Sequence, residues 1–261
     1  MRALSIGATG MLAQQMNVEV ISNNIANMNT TGFKRGRAEF NDLLYQDLRR
    51  VGSASSDAGT IVPSGVQVGL GVKAAAVYRI TDQGNITITD NSLDLAINGR
   101  GYFEVQLPTG ETAYTRAGSF QLSPTGDLVT PDGYLVMPGI TIPPQTTSIS
   151  INNNGEVFVQ TGSAVKATRV GQLELAQFPN EAGLEAVGDN LFLETTASGT
   201  PLAGVPGKDG FGAILQGALE TSNVNVVSEI TNLITAQRAY EMNSKVIQAA
   251  DEMMQNINQL R

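Results

Sequence analysis

The chain has 261 residues, enough for one large domain or two smaller ones with real cores. It carries 16 basic and 24 acidic residues, a net charge of −8, which leaves no basic footprint for nucleic acid. Cysteine, histidine and tryptophan are absent, which excludes disulfides, thiolate nucleophiles, zinc clusters and any histidine triad or general base.

The first segment is helical by its period. Leu4, Met11, Val18 and Ile25 recur every seventh residue, and Ala8, Leu12, Ile21 and Met28 widen the face. Gly7 and Gly10 weaken its first turns by about 1 kcal/mol each relative to Ala. Gln14, Gln15, Asn17 and Glu19 interrupt the apolar run, so it does not read as a cleavable signal peptide. No stretch approaches the ~20 apolar residues of a membrane span. Export, if it occurs, is expected to use another route. Asn23 to Arg35 is dense in Asn, Thr and Gly, which ends the helix and builds a fixed turn.

Residues 33–50 offer Phe40, Leu43, Leu44 and Leu48 as apolar points. The run Gly52 to Thr60 has linker composition. Ile61 and Val62, then Val66, Val68, Leu70 and Val72, sit among small or polar residues at strand period. This predicts a protruding β-hairpin or an extended arm; a disordered surface loop is the alternative.

From Lys73 to about Phe211 the period is two. Ile86 and Ile88, then Leu93, Leu95 and Ile97, Ile149 and Ile151, Val157 and Val159, and Leu173 and Leu175 alternate with polar or small residues. Turn pairs such as Asn98-Gly99, Asp132-Gly133 and Asn154-Gly155 punctuate them. Pro138, Pro143 and Pro144 mark an edge or a connection. The pattern predicts an all-β module. Its acidic pairs, Asp90 with Asp94, Asp127 with Asp132 and Glu181 with Glu185, have the residue types of a glycosidase. They sit in predicted turns, where carboxylates cap and bend the chain. Asn152 to Glu156 lacks the spaced carboxylates of a calcium loop. No catalytic residue, cofactor or metal ligand is assigned.

The final stretch, 224–261, is the longest helix. Val226, Leu233, Tyr240, Ile247 and Met254 form one seven-residue row, and Ala239, Val246, Met253 and Leu260 a second. About 35 residues give a rod roughly 50 Å long. The first helix is a candidate antiparallel mate. Each helix has at least two apolar rows, so each is expected to pack on more than one neighbour. Residues 51–224 hold 7 basic and 16 acidic residues against 9 and 8 at the two ends together, so the middle is the solvated part.

Three runs carry a family likeness. They are Asn23 to Arg35 at the start, Leu93 to Phe103 with Tyr114 to Phe120 in the middle, and Gly217 to Asn225 with Ala236 to Glu241 near the end. The chain resembles the bacterial flagellar rod and hook family along nearly its whole length. The resemblance implies a structural subunit of the distal rod, a stiff helical tube that passes motor torque to the hook. A proximal rod or hook subunit is the alternative within the family, and a surface-displayed β-rich binding module the alternative outside it. The expected fold is α+β and multidomain. Residues 1–30 and 224–261 make a helical coiled-coil inner tube. Residues 31–72 and 212–223 make a connecting part with the arm. Residues 73–211 make a β-rich outer domain.

The resemblance further implies an assembly interface on Leu4, Met11, Val18, Ile25, Val226, Leu233, Tyr240, Ile247 and Met254. Ile61, Val62, Val66 and Val68 belong to an arm that wedges between neighbours. Phe40, with Leu44 four places on, resembles the short signal shown to the flagellar type III export gate. The implied partners are other copies of the chain, the proximal rod and hook proteins, the P- and L-ring proteins and that gate, with no nucleic acid and no small-molecule substrate. The implied place is the basal body, from periplasm to outer membrane.

Overall fold

A computed structural model describes residues 2–50, 64–162 and 166–259. The chain divides into two compact units. One draws on the described residues of 1–25, 36–78 and 226–261, the other on those of 26–35 and 79–225.

The first unit holds both long helices, α1 (Arg2–Ala26) and α2 (Val226–Gln259). The helices run antiparallel, because their close approaches pair rising numbers with falling ones. A Cβ added to Gly7 would stand 2.9 Å from Ile247 Cγ1, and one added to Gly10 would stand 2.8 Å from Asn243 Nδ2. At the other end, Asn24 Nδ2 donates to Glu229 Oε2 at 3.2 Å. The glycines that lower helix propensity therefore let the two backbones come close. Glu229 lies in the first turn of α2, where a carboxylate favours the helix dipole.

Asn24 also fixes the start of β1 (Gly36–Asp42), accepting from Gly36 N at 2.8 Å and donating to Gly36 O at 2.9 Å. Next come β2 (Tyr45–Arg49), β3 (Val66–Gly69) and β4 (Val72–Arg79). β1 pairs with β4, and β2 lies antiparallel to β3 with Tyr45 opposite Gly69. No helix among the described residues is long and apolar enough to cross a membrane.

Among its described residues the second unit is built of strands and one short 3-10 turn, Glu181–Gly183, and it contains β5 (Ile86–Ile88), β6 (Leu95–Asn98), β7 (Tyr102–Gln106) and β8 (Thr112–Thr115). β7 is central to a nine-stranded sheet, bonded to β8, to Leu135–Val136 and to Leu175–Gln177. Tyr102, Phe103 and Val105 are all buried, so this strand is covered on both faces. The main core gathers Leu95, Ile97, Phe103, Phe120, Leu173, Leu175 and Ile214. A second cluster packs Phe178 edge-on against Tyr102 and Tyr114, with ring centroids 6.0 and 4.7 Å apart. Ala213–Gln216 pairs antiparallel with β6, and Ala218–Glu220 with β5. These two late strands complete the unit just before α2.

Candidate assembly interface

Along the helices, Leu4, Met11, Val18, Ile25, Val226, Leu233, Ile247 and Met254 are each half-buried within the single chain. Tyr240, on the same row, is 44% exposed. Full burial falls on residues set beside these rows, namely Gly7, Ala13, Ile21 and Asn24 on α1 and Glu229, Ala236 and Ala250 on α2. Apart from Ile21, small and polar residues thus fill the centre of the seam, and the large apolar residues line its edges. On one flank α2 leaves Val227, Ile230 and Ile234 exposed, and on the other Met242, Val246 and Met253. The first flank is spaced by three and four residues and the second by four and seven, spacings that a neighbouring helix could fill.

The arm residues Val66 and Val68 lie in β3, the first exposed and the second half-buried. Ile61 and Val62 lie outside the described residues. β2 is exposed along its whole length, including Tyr45 and Leu48. Phe40 is half-buried in β1, while Leu44, between β1 and β2, is 82% exposed.

Within the acidic pairs, Asp94 and Asp127 serve turns. The Asp94 carboxylate accepts from Thr89 Oγ1 at 2.6 Å and Asn91 Nδ2 at 2.9 Å. Asp127 accepts from Thr141 Oγ1 at 2.6 Å and Thr125 Oγ1 at 2.7 Å, bonds that hold its carboxyl below the usual range. Glu181 accepts from the Tyr102 hydroxyl at 3.1 Å. Asn152 Oδ1 accepts from the amides of Asn154 and Glu156, which closes a hairpin turn. Among the described residues, no group of three or more acidic side chains could hold a metal ion.

Glu104, on β7, is shifted upward, opposite to Asp127. Burial raises its pKa, and the Glu174 charge adds to the rise. Burial, helped by Glu104 and Glu194, also pushes the Tyr114 phenol up to about 12. An acid whose folded pKa lies above its unfolded one costs stability once it ionises. That cost is present above the folded pKa and disappears as pH falls through it towards the unfolded value. Glu104→Gln is therefore expected to raise the melting temperature by about 1–2 °C at neutral pH, a gain that vanishes on acidification below the ordinary glutamate range. A calorimetric pH series checks this, and a gain that grows on acidification would contradict it.

The three family-like runs meet around one buried carboxylate. Glu220 is 1% exposed, and its oxygens accept from Lys34 Nζ at 2.6 Å and from Arg116 Nη2 at 2.7 Å and Nε at 3.0 Å. Both cations are buried as well. Burial lowers the Lys34 pKa, and the Glu220 charge pulls it back up. Arg116 Nη1 donates to the carbonyls of Gly99 and Gly101 at 2.9 and 2.6 Å. Its guanidinium also lies over the Tyr102 ring, 5.9 Å from the centroid.

Two glycines explain why the runs are spelled as they are. Gly32 has φ +70°, and a Cβ there would press on Arg116 and Ala117 backbone at 2.8 Å. A Cβ at Gly118 would collide with the Leu95 carbonyl. Sequence reasoning marked these runs without finding that Lys34, Arg116 and Glu220 meet. A lone Glu before a helix looks solvated, and only the strand pairing of Ala218–Glu220 brings it inside.

Long helices with exposed apolar flanks and a β unit with a core of its own have the features of a structural subunit that packs against neighbours. Three family models agree: "Flagella basal body rod protein" over residues 4–34, "Flagellar hook protein FlgE/F/G D1 domain" over 96–159, and "Flagellar basal body rod FlgEFG protein C-terminal" over 215–260. The flagellar basal-body rod protein FlgG of Caulobacter vibrioides is 63% identical over 261 residues, the full length of both chains. FlgG of Agrobacterium fabrum is 55% identical over 253 residues, 97% of each chain. FlgG of Borreliella burgdorferi is 47% identical over 263 aligned positions, covering 100% of this chain and 99% of that one. The chain belongs to the flagellar hook and basal-body rod family, within it to the FlgG group, whose members are structural proteins and not enzymes.

Proposed function

We infer that the chain is a structural subunit of the flagellar distal rod, located in the basal body and polymerising into a straight, stiff helical tube. The observation that carries this reading is α2. Its seam with α1 uses one stripe and leaves Val227, Ile230, Ile234, Met242, Val246 and Met253 exposed. A lone soluble chain gains nothing from such flanks, and a polymer buries them.

In this reading residues 1–30 and 224–261 form a coiled-coil inner tube, with Leu4, Met11, Val18, Ile25, Val226, Leu233, Tyr240, Ile247 and Met254 along its packing surfaces. Residues 31–72 and 212–223 connect, and residues 73–211 form the outer layer. The β2–β3 ribbon is the root of a hairpin arm that locks neighbours. In support, a two-stranded ribbon is marginal by itself in water, and its Tyr45, Leu48 and Val66 are exposed. The acidic balance of 51–224 suits an outer surface facing water, the hook and proximal rod junctions, and the P and L rings between periplasm and outer membrane. Phe40 and Leu44 serve as the signal to the type III export gate, on the strength of their spacing and of the family; export then needs no cleavable signal peptide.

Electron microscopy of assembled full-length chain tests the reading. A straight tube with helices lining its bore is expected, and removal of residues 51–72 is expected to give a curved polymer. A tube that stays straight without 51–72 would overturn the role of the arm; failure of the intact chain to form tubes would overturn the whole.

A further inference from the structure

Four times the chain leaves one unit for the other, after residues 25, 35, 78 and 225. Three of these departures lie within a few residues of the Glu220 cluster, and all three segments are tied there inside the β unit. Gly32 N donates to the Glu220 carbonyl at 2.8 Å, and Lys34 Nζ donates to the Asp82 carbonyl at 2.9 Å as well as to Glu220. Gly84 N donates to Glu220 Oε1 at 2.9 Å. Three residues on, Asn223 repeats the arrangement with neutral groups. Its Oδ1 accepts from Arg35 N at 2.8 Å, and its Nδ2 donates to the carbonyls of Ile80 and Asp82, both at 2.9 Å. Ile80 N donates to Arg35 O at 2.9 Å and closes the ring.

Two cations share one anion out of water. With the carboxylate removed, Lys34 and Arg116 would face each other unpaired, a situation that proteins relieve by moving one of the segments. Hydrogen bonds in such a network also strengthen one another, so losing one loosens the rest. Segment 32–35 and segment 80–84 thus depend on a side chain that lies far along the chain from both.

We propose that Glu220 closes a three-way latch, in which segments 32–35, 80–84 and 220–223 take their folded positions together and release together. The device makes the chain's passage to α2 the condition for fixing its passage from α1. It follows from the cluster's geometry and holds whatever the subunit assembles into.

Amide hydrogen exchange on the full chain tests it. Glu220→Gln keeps the shape and removes the charge. Protection in 32–35 and in 80–84 is expected to fall in parallel, on the order of 100-fold, while Phe103 to Val105 in β7 keeps its protection. A loss confined to residues next to Glu220, or no loss, overturns the proposal. If Glu220→Gln unfolds the whole β unit, Asn223→Ala decides, since it deletes neutral hydrogen bonds alone. Equal loss in both segments supports the latch, and loss in one without the other overturns it.

Discussion

Aspartate at Val246 and Met253 is expected to abolish tube formation while leaving the melting of the free subunit unchanged. Both side chains are exposed on one flank of α2, away from the seam with α1. Exposed substitutions of this kind usually change stability by less than about 0.5 kcal/mol. In a polymer, burying each apolar side chain contributes about 1.5–3 kcal/mol, and a buried lone carboxylate costs more still. Two sites together raise the concentration needed for assembly by at least about 100-fold. Sedimentation and microscopy at a concentration where the unaltered chain forms tubes read this directly. Ile247→Ala is the contrasting control. Ile247 sits against Gly7 within the same chain, so its loss is expected to lower the subunit's own stability first. Tubes that persist with both aspartates would mean that this flank is not an assembly surface.

Phe103→Ala is expected to cost about 3–5 kcal/mol and to lower the melting temperature of the β unit by roughly 10 °C. Phe103 is fully buried at the centre of the nine-stranded sheet, and its ring meets Phe120 edge-on at 5.1 Å. The surrounding Leu95 and Leu175 belong to strands held by backbone pairing, and Leu173 N donates to the Gly155 carbonyl at 2.8 Å, so the cavity cannot collapse freely. Thermal unfolding followed by calorimetry measures the shift. A shift under about 3 °C would show that the core refills the space.

Much of the architecture is legible in the residues. Seven-residue spacing locates both helices, and period two with Asn-Gly and Asp-Gly turns marks the β segment, because each pattern reports which face of a local element meets apolar surroundings. Other features depend on distant partners. Ala213–Gln216 carries no strand period, and its place beside β6 is set by a partner far up the chain. Tyr240 keeps the seven-residue rhythm yet is exposed, since rhythm shows that a face is apolar and not which molecule covers it. Of the candidate site, the apolar rows of α2 are visible in its sequence. The Glu220 cluster could not, because isolated Lys, Arg and Glu residues in a sequence look like solvated surface until strand pairing draws them inward.

The pairing of β6 with Ala213–Gln216 also sets a tempo. Ile97 and Ile214 stand opposite each other although more than a hundred residues separate them in the chain. Pairings this remote raise contact order, and chains of that kind fold in milliseconds to seconds where helical bundles take microseconds. Until the late strand arrives, β6 lacks this partner, and an unpaired strand with Leu95 and Ile97 open is adhesive. Such a subunit is safest when each copy folds apart from other unfinished copies, so one-at-a-time delivery suits this topology better than folding from a concentrated pool.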